Sequence, residues 1–359
     1  MRRLFLIVTL LSSFACTRTD LGEQVGSPVL PATPTPTVTP LPTATPTPIP
    51  EKADAQLQSV LEEIAKDAKG KVGVGAVLVE TGETAYLDRS GRYPSQSVYK
   101  LPIAMAALKL VDEGKFRVEQ DINITPEDYV RQGFHSPIRN TNPQGTVLPF
   151  GEILRFSISE SDGTASDVLL DLAGGPEAVM SYLKGIGIDD FIVADSEKSI
   201  SKDWETQYRN WATPEASIKL LRTVHERTDG LSEQTNNLLM GVMLDSETGG
   251  HRIKRGLPEG ASLAHKTGTG GRENGVTGAT NDIGIISLPD GRHILLAVYV
   301  SDSPENGFVR QKVIADIARA VIEKWAPESY PVLQFNNSNA NGGPRNSNAN
   351  VETGRPRSR

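Results

Sequence analysis

A hydroxyl and an amine that could cooperate in catalysis stand three residues apart in Ser97-Val98-Tyr99-Lys100. On a helix the side chains of Ser97 and Lys100 would share a face. A serine hydroxyl is a weak nucleophile until a neighbouring group takes its proton, and a desolvated lysine can do so when neutral. The same spacing recurs at Ser199 and Lys202, but only Ser97 precedes an apolar run, residues 101–108, that could bury a catalytic helix start. The pattern therefore favours Ser97 as a nucleophile.

A second hydroxyl with a possible catalytic use is that of Ser161, in Ser161-Asp162-Gly163. We expect one helix to end near Phe156 and the next to begin within this stretch. A hydroxyl at that point could relay a proton between a leaving group and the lysine. Taken by itself, a Ser-Asp pair before a helix is more typical of a plain N-cap.

Donors for a carboxylate are concentrated in Lys266-Thr267-Gly268-Thr269, on a predicted strand. The lysine and the two threonine hydroxyls can bind an anion, and Gly268 permits close backbone approach. An edge strand kept soluble by its lysine would look similar. However, Ser161 follows Ser97 by 64 residues and Lys266 follows Ser161 by 105, in the order helix, helix start and strand. This ordered combination predicts one catalytic cleft.

The elements that would position these residues follow from hydrophobic periodicity. In chain order the pattern predicts a helix over 57–68, a hairpin of 72–79 and 84–87, helices from 97 to about 257 with starts at 161–164, 176 and 213–214, strands at 262–265, 282–288 and 293–300, and a helix over 314–325. We therefore expect an α/β (α+β) fold. Its mixed, mainly antiparallel five-stranded sheet would be covered by the N- and C-terminal helices, with an inserted all-helical region and the active site in the cleft between.

The N-terminal segment has the composition of an export signal. Residues 1–16 begin with two arginines, continue with an apolar run and end in small residues before Cys16, which is typical of a lipoprotein-type signal peptide. Cys16 is the only cysteine, so no intrachain disulfide is possible. Its position predicts attachment of a diacylglyceryl lipid, and the alternative is ordinary signal cleavage. We expect an exported protein in the bacterial periplasm or cell envelope, anchored to a membrane through this lipid.

The segments that flank the predicted catalytic domain, residues 51–330, are low in apolar residues. Residues 17–50 contain nine of the 24 prolines, alternating with Thr and Ala, and predict a stiff, extended tether. Residues 331–359 are rich in Asn, Gly, Ser and Arg and predict a disordered tail. The net charge of −7 leaves no basic footprint for nucleic acid. We expect a monomer.

Metal chemistry finds no support in the residue spacing. None of the histidines is paired at ligand spacing in the chain, and no cysteine is free to help. The five histidines are His135, His225, His251, His265 and His293. The sequence therefore predicts neither a metal nor another cofactor at the catalytic cleft.

Over residues 52–326 the sequence resembles the penicillin-recognising serine enzymes and, within them, the class A β-lactamases. The motifs around Ser97, Ser161 and Lys266 carry this resemblance. The stretches 207–211 and 265–282 are most similar to the PER-type branch. The resemblance implies a small-molecule β-lactam substrate, hydrolysis of its ring through a serine acyl-enzyme, and antibiotic resistance.

The resemblance also implies roles for individual residues. Ser97 would attack the lactam carbonyl, Lys100 would help deprotonate and orient it, and Ser161 would relay a proton to the lactam nitrogen. The N–H groups of Ser97 and Thr269 would form an oxyanion hole. Lys266 with the Thr267 and Thr269 hydroxyls would bind the substrate carboxylate beside Gly268. Arg252 lies where some family members supply a supporting guanidinium. It could equally be a helix-end charge that satisfies carbonyl groups.

Turnover needs a base that directs water at the acyl-enzyme ester. The resemblance assigns this role to Glu197, which lies 14 residues before Trp211 and 16 before the helix start at Thr213. Glu205 is the second choice. Without the other motifs, Glu197 would be read as an ordinary solvated loop acid.

Three positions depart from the family pattern or leave a role open. Gly163 replaces the asparagine of Ser-Asp-Asn and removes an amide that would contact the substrate side chain. Ser201 stands where an asparagine often helps to hold the water. His135 occupies the stretch where an aromatic residue usually walls the cleft, and it could be that wall or a surface histidine.

Two other functions use the same sequence features. A D-alanyl-D-alanine carboxypeptidase or transpeptidase would keep Ser97 but would need no deacylating glutamate. A non-catalytic envelope lipoprotein or penicillin sensor would use the fold only to bind. The location of Glu197 in the folded chain is therefore the feature that separates hydrolysis from trapping.

Overall fold

The computed structural model describes residues 50–200 and 202–330 of the 359-residue chain. The predicted signal peptide with Cys16, the tether up to residue 49, Ser201 and the tail at 331–359 lie outside these ranges. Among the described residues, every helix is too short or too polar to span a bilayer.

The described residues form twelve strands, eleven α-helices and five 3₁₀ helices. The strands are β1 (Lys52–Ala53), β2 (Lys71–Leu78), β3 (Glu83–Leu87), β4 (Tyr93–Pro94), β5 (Asp121–Ile124), β6 (Thr146–Pro149), β7 (Phe191–Ile192), β8 (Trp211–Ala212), β9 (Ser262–Thr269), β10 (Arg272–Glu273), β11 (Val276–Ser287) and β12 (His293–Ser303). The α-helices are α1 (Ala55–Ala65), α2 (Lys100–Asp112), α3 (Pro137–Thr141), α4 (Phe150–Ile158), α5 (Gly163–Ala173), α6 (Pro176–Gly185), α7 (Glu197–Ile200), α8 (Pro214–Glu226), α9 (Glu233–Leu244), α10 (Ile253–Gly256) and α11 (Gly307–Trp325). The 3₁₀ helices are Lys66–Ala68, Gln96–Tyr99, Pro126–Asp128, Glu205–Tyr208 and Pro327–Ser329.

The main sheet has five long antiparallel strands in the order β3, β2, β12, β11, β9. These are the five strands that the sequence predicts. Two strands of two residues each extend the sheet, since β1 pairs in parallel with β3 and β10 pairs with β11. The sheet is therefore mixed and seven-stranded. Two-residue strands carry no periodicity that a sequence pattern could reveal.

The terminal helices cover one face of the sheet, as predicted. Alternate residues of β12, among them Leu296 and Val298, pack against α1 and α11 in one apolar cluster. Asp54 joins the two helices. Its carboxylate accepts the Leu57 N–H at 2.9 Å at the start of α1 and the Trp325 indole N–H at 3.1 Å at the end of α11. The first and last parts of the domain are thus fastened to each other over the sheet.

The opposite face of the sheet meets the helical region, whose centre is α2. Residues 100–108 of this helix are all buried, which explains why the sequence there reads as a continuous apolar run. The sequence predicted an all-helical region here, but the region also contains the β5–β6 hairpin and the small sheet of β4, β8 and β7. In that small sheet, the backbone N–H of Ser95 donates to the Asn210 carbonyl at 2.9 Å and fixes the chain just before α2.

Ser97 lies in the 3₁₀ helix Gln96–Tyr99 and not in the first turn of an α-helix. Gln96 has a φ of 48°, a strained conformation for a residue with a side chain. Neighbouring strands stabilise this turn. The Asn281 amide donates to the carbonyls of Pro94 and Ser95 at 2.8 and 3.1 Å. A Cβ atom on Gly268 would lie 2.5 Å from the Ser95 oxygen, so glycine is required for β9 to approach this closely.

Asp167, a buried acid on α5, positions the start of α7. Its carboxylate accepts the N–H groups of Glu197 and Lys198 at 2.7 and 3.0 Å. Burial and the nearby Glu197 carboxylate raise the pKa of Asp167 to about 7, against the opposing effect of the two N–H donors. Because Asp167 lies on α5, the packing of that helix fixes the backbone position of Glu197.

The raised pKa of Asp167 predicts a pH dependence of stability. Between about pH 4 and 7 the folded chain keeps a proton on Asp167 that the unfolded chain releases, so the contribution of this group to stability falls as the pH rises. In Asp167→Asn, the slope of unfolding free energy against pH should be less negative by about 1 kcal/mol per pH unit in this window. Urea unfolding measured from pH 4 to 8 checks this.

The matched control is Asp171→Asn, an exposed acid one turn further along α5, which should leave the slope unchanged. Identical slopes for the wild type and Asp167→Asn would contradict the assigned proton.

Candidate active site

A cavity of about 760 Å³ lies between the sheet and the helical region, and it brings most of the predicted site residues together. Eight of them line it: Ser97, Lys100, His135, Ser161, Glu197, Arg252, Thr267 and Thr269. The three others, Gly163, Lys266 and Gly268, are not among its lining residues. Lys266 and Gly163 contact residues of the lining directly.

Lys100 lies at the centre of the polar contacts. Its side chain is 1% exposed, and its ammonium group donates to the Ser161 carbonyl at 2.7 Å and contacts the Glu197 carboxylate at 3.0 Å. Ser97 lies one turn earlier, where its carbonyl accepts the backbone N–H of Lys100. The nucleophile, the amine and the carboxylate predicted from the sequence therefore line the same cavity.

Ser161 bridges two lysines. Its φ of 61° turns the backbone so that the carbonyl oxygen meets Lys100, while its hydroxyl accepts from the Lys266 ammonium at 2.9 Å. The N-cap of α5 is Asp162, whose carboxylate accepts the Ala165 N–H at 2.9 Å. The capping interpretation thus holds for Asp162, and the Ser161 side chain is left to face the cavity.

Lys266 is completely buried on β9, and among the described residues it forms no ion pair with an acid. Burial and the neighbouring Lys100 charge lower the pKa of Lys266 well below its usual range. Its ammonium group donates to the Ser161 hydroxyl and to the Thr267 carbonyl, the latter at 3.3 Å. A substrate anion that reached this lysine would relieve an unfavourable buried charge.

The remaining donors on β9 are held by neighbours. The Thr267 hydroxyl is 2.7 Å from that of Thr248, which also lines the cavity. The Arg252 guanidinium donates to the Thr269 hydroxyl at 2.6 Å and to the carbonyls of Gly268 and Asn281 at 3.1 and 2.7 Å. The position of Arg252 is therefore compatible with a supporting guanidinium beside β9, but not with a charge that satisfies carbonyls at a helix end. The carbonyls that it satisfies belong to strands and not to a helix end.

Glu197 begins α7 with its side chain 12% exposed, and it lines the cavity beside Lys100. It is not a solvated loop acid. Glu205, the second choice, starts a 3₁₀ helix and lines an adjoining pocket but not the cavity that contains Ser97. The geometry therefore favours Glu197 over Glu205 as the carboxylate that can reach the site.

His135 and Gly163 meet at the rim. His135 is exposed, and its ring nitrogen lies 2.9 Å from the Glu160 carbonyl. The Gly163 N–H donates to the His135 carbonyl at 2.9 Å. A Cβ atom at position 163 would lie 3.2 Å from that carbonyl oxygen and 3.4 Å from Cγ of Glu197. The side chain that Gly163 lacks would thus point into the space between the rim and the candidate base.

Several residues of the site carried no usable sequence signal. Gln96 lines the cavity and donates from its side-chain amide to Gln207 at 2.9 Å. Asp167 and Thr248 act on the site through Glu197 and Thr267. Their partners are distant in the chain, so no local motif joins them.

Comparisons with known proteins give a consistent result. The model of the beta-lactamase enzyme family matches residues 54–325. The chain is 38% identical over 260 residues to Beta-lactamase VEB-1 of Pseudomonas aeruginosa, covering 72% of this chain and 87% of that protein. It is 37% identical over 269 residues to Extended-spectrum beta-lactamase PER-1 of the same organism, covering 74% and 86%. A solved β-lactamase from Chitinophaga pinensis superposes with a TM-score of 0.73 at 38% identity, covering 75% of this chain and 99% of that one.

The match to the family model spans the predicted catalytic motifs and all five long strands of the main sheet. Both the resemblance to the class A enzymes and its PER-type character are confirmed. The chain belongs to the beta-lactamase enzyme family, within its class A of serine enzymes.

Proposed function

We propose that this chain hydrolyses the β-lactam ring through an acyl ester on Ser97 that Glu197 then directs water to cleave. The observation that carries this proposal is the 3.0 Å contact between the Glu197 carboxylate and the Lys100 ammonium inside the cavity. This contact places the base, Glu197, beside the amine that activates Ser97. It therefore supports attack on the same carbonyl carbon first by Ser97 and then by a water molecule that Glu197 directs.

Acylation begins when the Ser97 hydroxyl attacks the lactam carbonyl and gives up its proton. Lys100 helps to take that proton and orients the hydroxyl; Glu197, 3.0 Å away, can accept a proton from the ammonium and so free the amine. The N–H groups of Ser97 and Thr269 stabilise the oxyanion, an effect worth roughly 3 kcal/mol per donor in other hydrolases. The Ser161 hydroxyl, within 2.9 Å of the Lys266 ammonium, passes a proton to the departing lactam nitrogen.

Recognition of the substrate carboxylate falls to β9. The Arg252 guanidinium and the Thr267 and Thr269 hydroxyls line the cavity, and the buried Lys266 ammonium contacts the Ser161 hydroxyl, which also lines it. Two cationic side chains, those of Lys266 and Arg252, favour an anion in a poorly solvated site. Gly268 lets the strand lie against the residues before Ser97.

Deacylation distinguishes the proposal from its rivals. A carboxypeptidase, a transpeptidase or a penicillin sensor needs no carboxylate beside the Ser97–Lys100 pair. Here the Glu197 carboxylate lies beside Lys100, and Asp167 fixes the backbone of Glu197. General-base catalysis typically contributes 10²- to 10⁴-fold, about enough to separate turnover from trapping. PER-1 is named an extended-spectrum enzyme, and we propose penicillins and cephalosporins as substrates, with His135 and Gly163 bounding the space for their side chains.

The rest of the chain supports a proposal about location. A signal-like segment that ends at Cys16, followed by a proline-rich tether, fits a monomeric enzyme exported to the cell envelope and anchored to a membrane by a diacylglyceryl group on Cys16.

Replacing the nucleophile tests the first step. Ser97→Ala should reduce hydrolysis of a chromogenic cephalosporin by at least about 10³-fold, because it removes the hydroxyl on which the proposed ester forms. The matched control is Ser199→Ala, which alters the other Ser-x-x-Lys sequence and should retain turnover. Hydrolysis by Ser97→Ala at the wild-type rate would overturn the assignment.

Replacing the base tests the second step. Glu197→Gln keeps the shape of the side chain but cannot accept a proton from water, so the acyl-enzyme should persist about 10²- to 10⁴-fold longer. Intact mass spectrometry after mixing with a cephalosporin should show one adduct per chain.

Glu205→Gln, the paired control, should show no lasting adduct. If Glu197→Gln released its adduct as quickly as the wild type, another base would have to be sought.

Replacing the cysteine tests the anchor. In a bacterial host that processes lipoproteins, the wild-type chain should sediment with membranes, and the mass of its N-terminal peptide should include a diacylglyceryl group. Cys16→Ser should be found in the soluble envelope fraction with unchanged specific activity. An unmodified Cys16 thiol in the mature wild-type protein would rule out the anchor.

A further inference from the structure

A second cluster of chemically competent side chains lies outside the β-lactam cavity. It consists of Glu80, just after β2, His293, the first residue of β12, and His225, in the last turn of α8. None of the three lines the cavity that contains Ser97. The two histidines are far apart in the chain, so their spacing gave no indication of this meeting.

The three side chains already face one another. One ligand atom from each lies within 4.8 Å of the other two. The Glu80 carboxylate accepts the backbone N–H of His293 at 2.9 Å, and its second oxygen lies 2.8 Å from Nδ1 of that ring. The His225 and His293 rings are 4.5 Å apart between centroids and tilted by 49°. Two imidazoles and a carboxylate are a usual ligand set for zinc.

The cluster combines a carboxylate charge with two imidazole rings, the donor types that a divalent cation of the zinc class binds. His225 and His293 are partly buried, and Glu80 is exposed. The ligand atoms of a tetrahedral zinc site lie about 3.4 Å apart. The side chains of His293 and Glu80 are 30% and 35% exposed, which leaves them free to close this difference.

We propose that Glu80, His225 and His293 form a binding site for a zinc-class divalent cation, with water in the remaining coordination position. Because the ligands come from the β2–β3 turn, β12 and α8, the bound ion ties α8 to the ends of two neighbouring strands of the main sheet. The site stabilises the fold and takes no part in β-lactam hydrolysis, so it stands or falls independently of the proposed function.

The test is calorimetric titration of the purified, chelator-treated full chain with Zn²⁺. The wild type should bind one ion per chain, and at ten times the dissociation constant Zn²⁺ should raise the melting temperature by about 2 to 4 °C. His225→Ala, His293→Ala and Glu80→Gln should each weaken this binding at least about tenfold. The matched control, His251→Ala, removes an exposed histidine elsewhere and should bind as the wild type does.

Melting in the presence of chelator separates loss of a ligand from loss of packing. His225→Gln, which keeps most of the side-chain volume, should melt like the wild type in chelator but fail to gain stability from Zn²⁺. Reporter hydrolysis in chelator should be the same for all these variants. Zn²⁺ binding that is absent in the wild type, or that is unchanged in both His225→Gln and His293→Ala, would overturn the site.

Discussion

The cleft depends on one buried ammonium group, that of Lys100. A charge that is 1% exposed is tolerated only when hydrogen bonds and an opposite charge compensate for lost water. The Ser161 carbonyl and the Glu197 carboxylate provide both. Each is held by a different part of the helical region, since Ser161 precedes α5 and Glu197 begins α7. The compensation that makes Lys100 acceptable therefore also assembles the catalytic groups around Ser97.

The rest of the architecture maintains this arrangement. Lys100 is the first residue of α2, whose first nine residues are all buried. The Asn281 amide on β11 fixes the carbonyls just before Ser97, and Asp167 fixes the start of α7. On the other side, Lys266 is buried on β9 and forms no ion pair with any acid in the part of the chain that the structure describes, so we propose that it attracts an anion there. In the proposed mechanism, the site is thus negative where water is activated and positive where a substrate carboxylate binds.

Sequence reasoning identified the elements whose pattern is long and local. Hydrophobic patterns identified the five main strands and the two covering helices, because each contains several buried apolar residues close together in the chain. They missed the first half of β11, because the buried residues Thr280 and Asn281 are polar there. Their polar groups are satisfied by hydrogen bonds to the Arg310 guanidinium and the Pro94 carbonyl. Motif order brought Ser97, Ser161 and Lys266 together correctly. It could not find Asp167 or the His225–His293 pair, because their partners come from distant segments.

The central claim is that the ester on Ser97 is cleaved by water under the control of the carboxylate beside Lys100. The most direct measurement is the number of chromogenic cephalosporin molecules opened per chain by the purified wild-type protein under a large excess of substrate. The account predicts continuous hydrolysis, with many equivalents per chain and no loss of rate after the first. A single stoichiometric burst followed by silence would contradict it, because the chain would then be a target of these compounds.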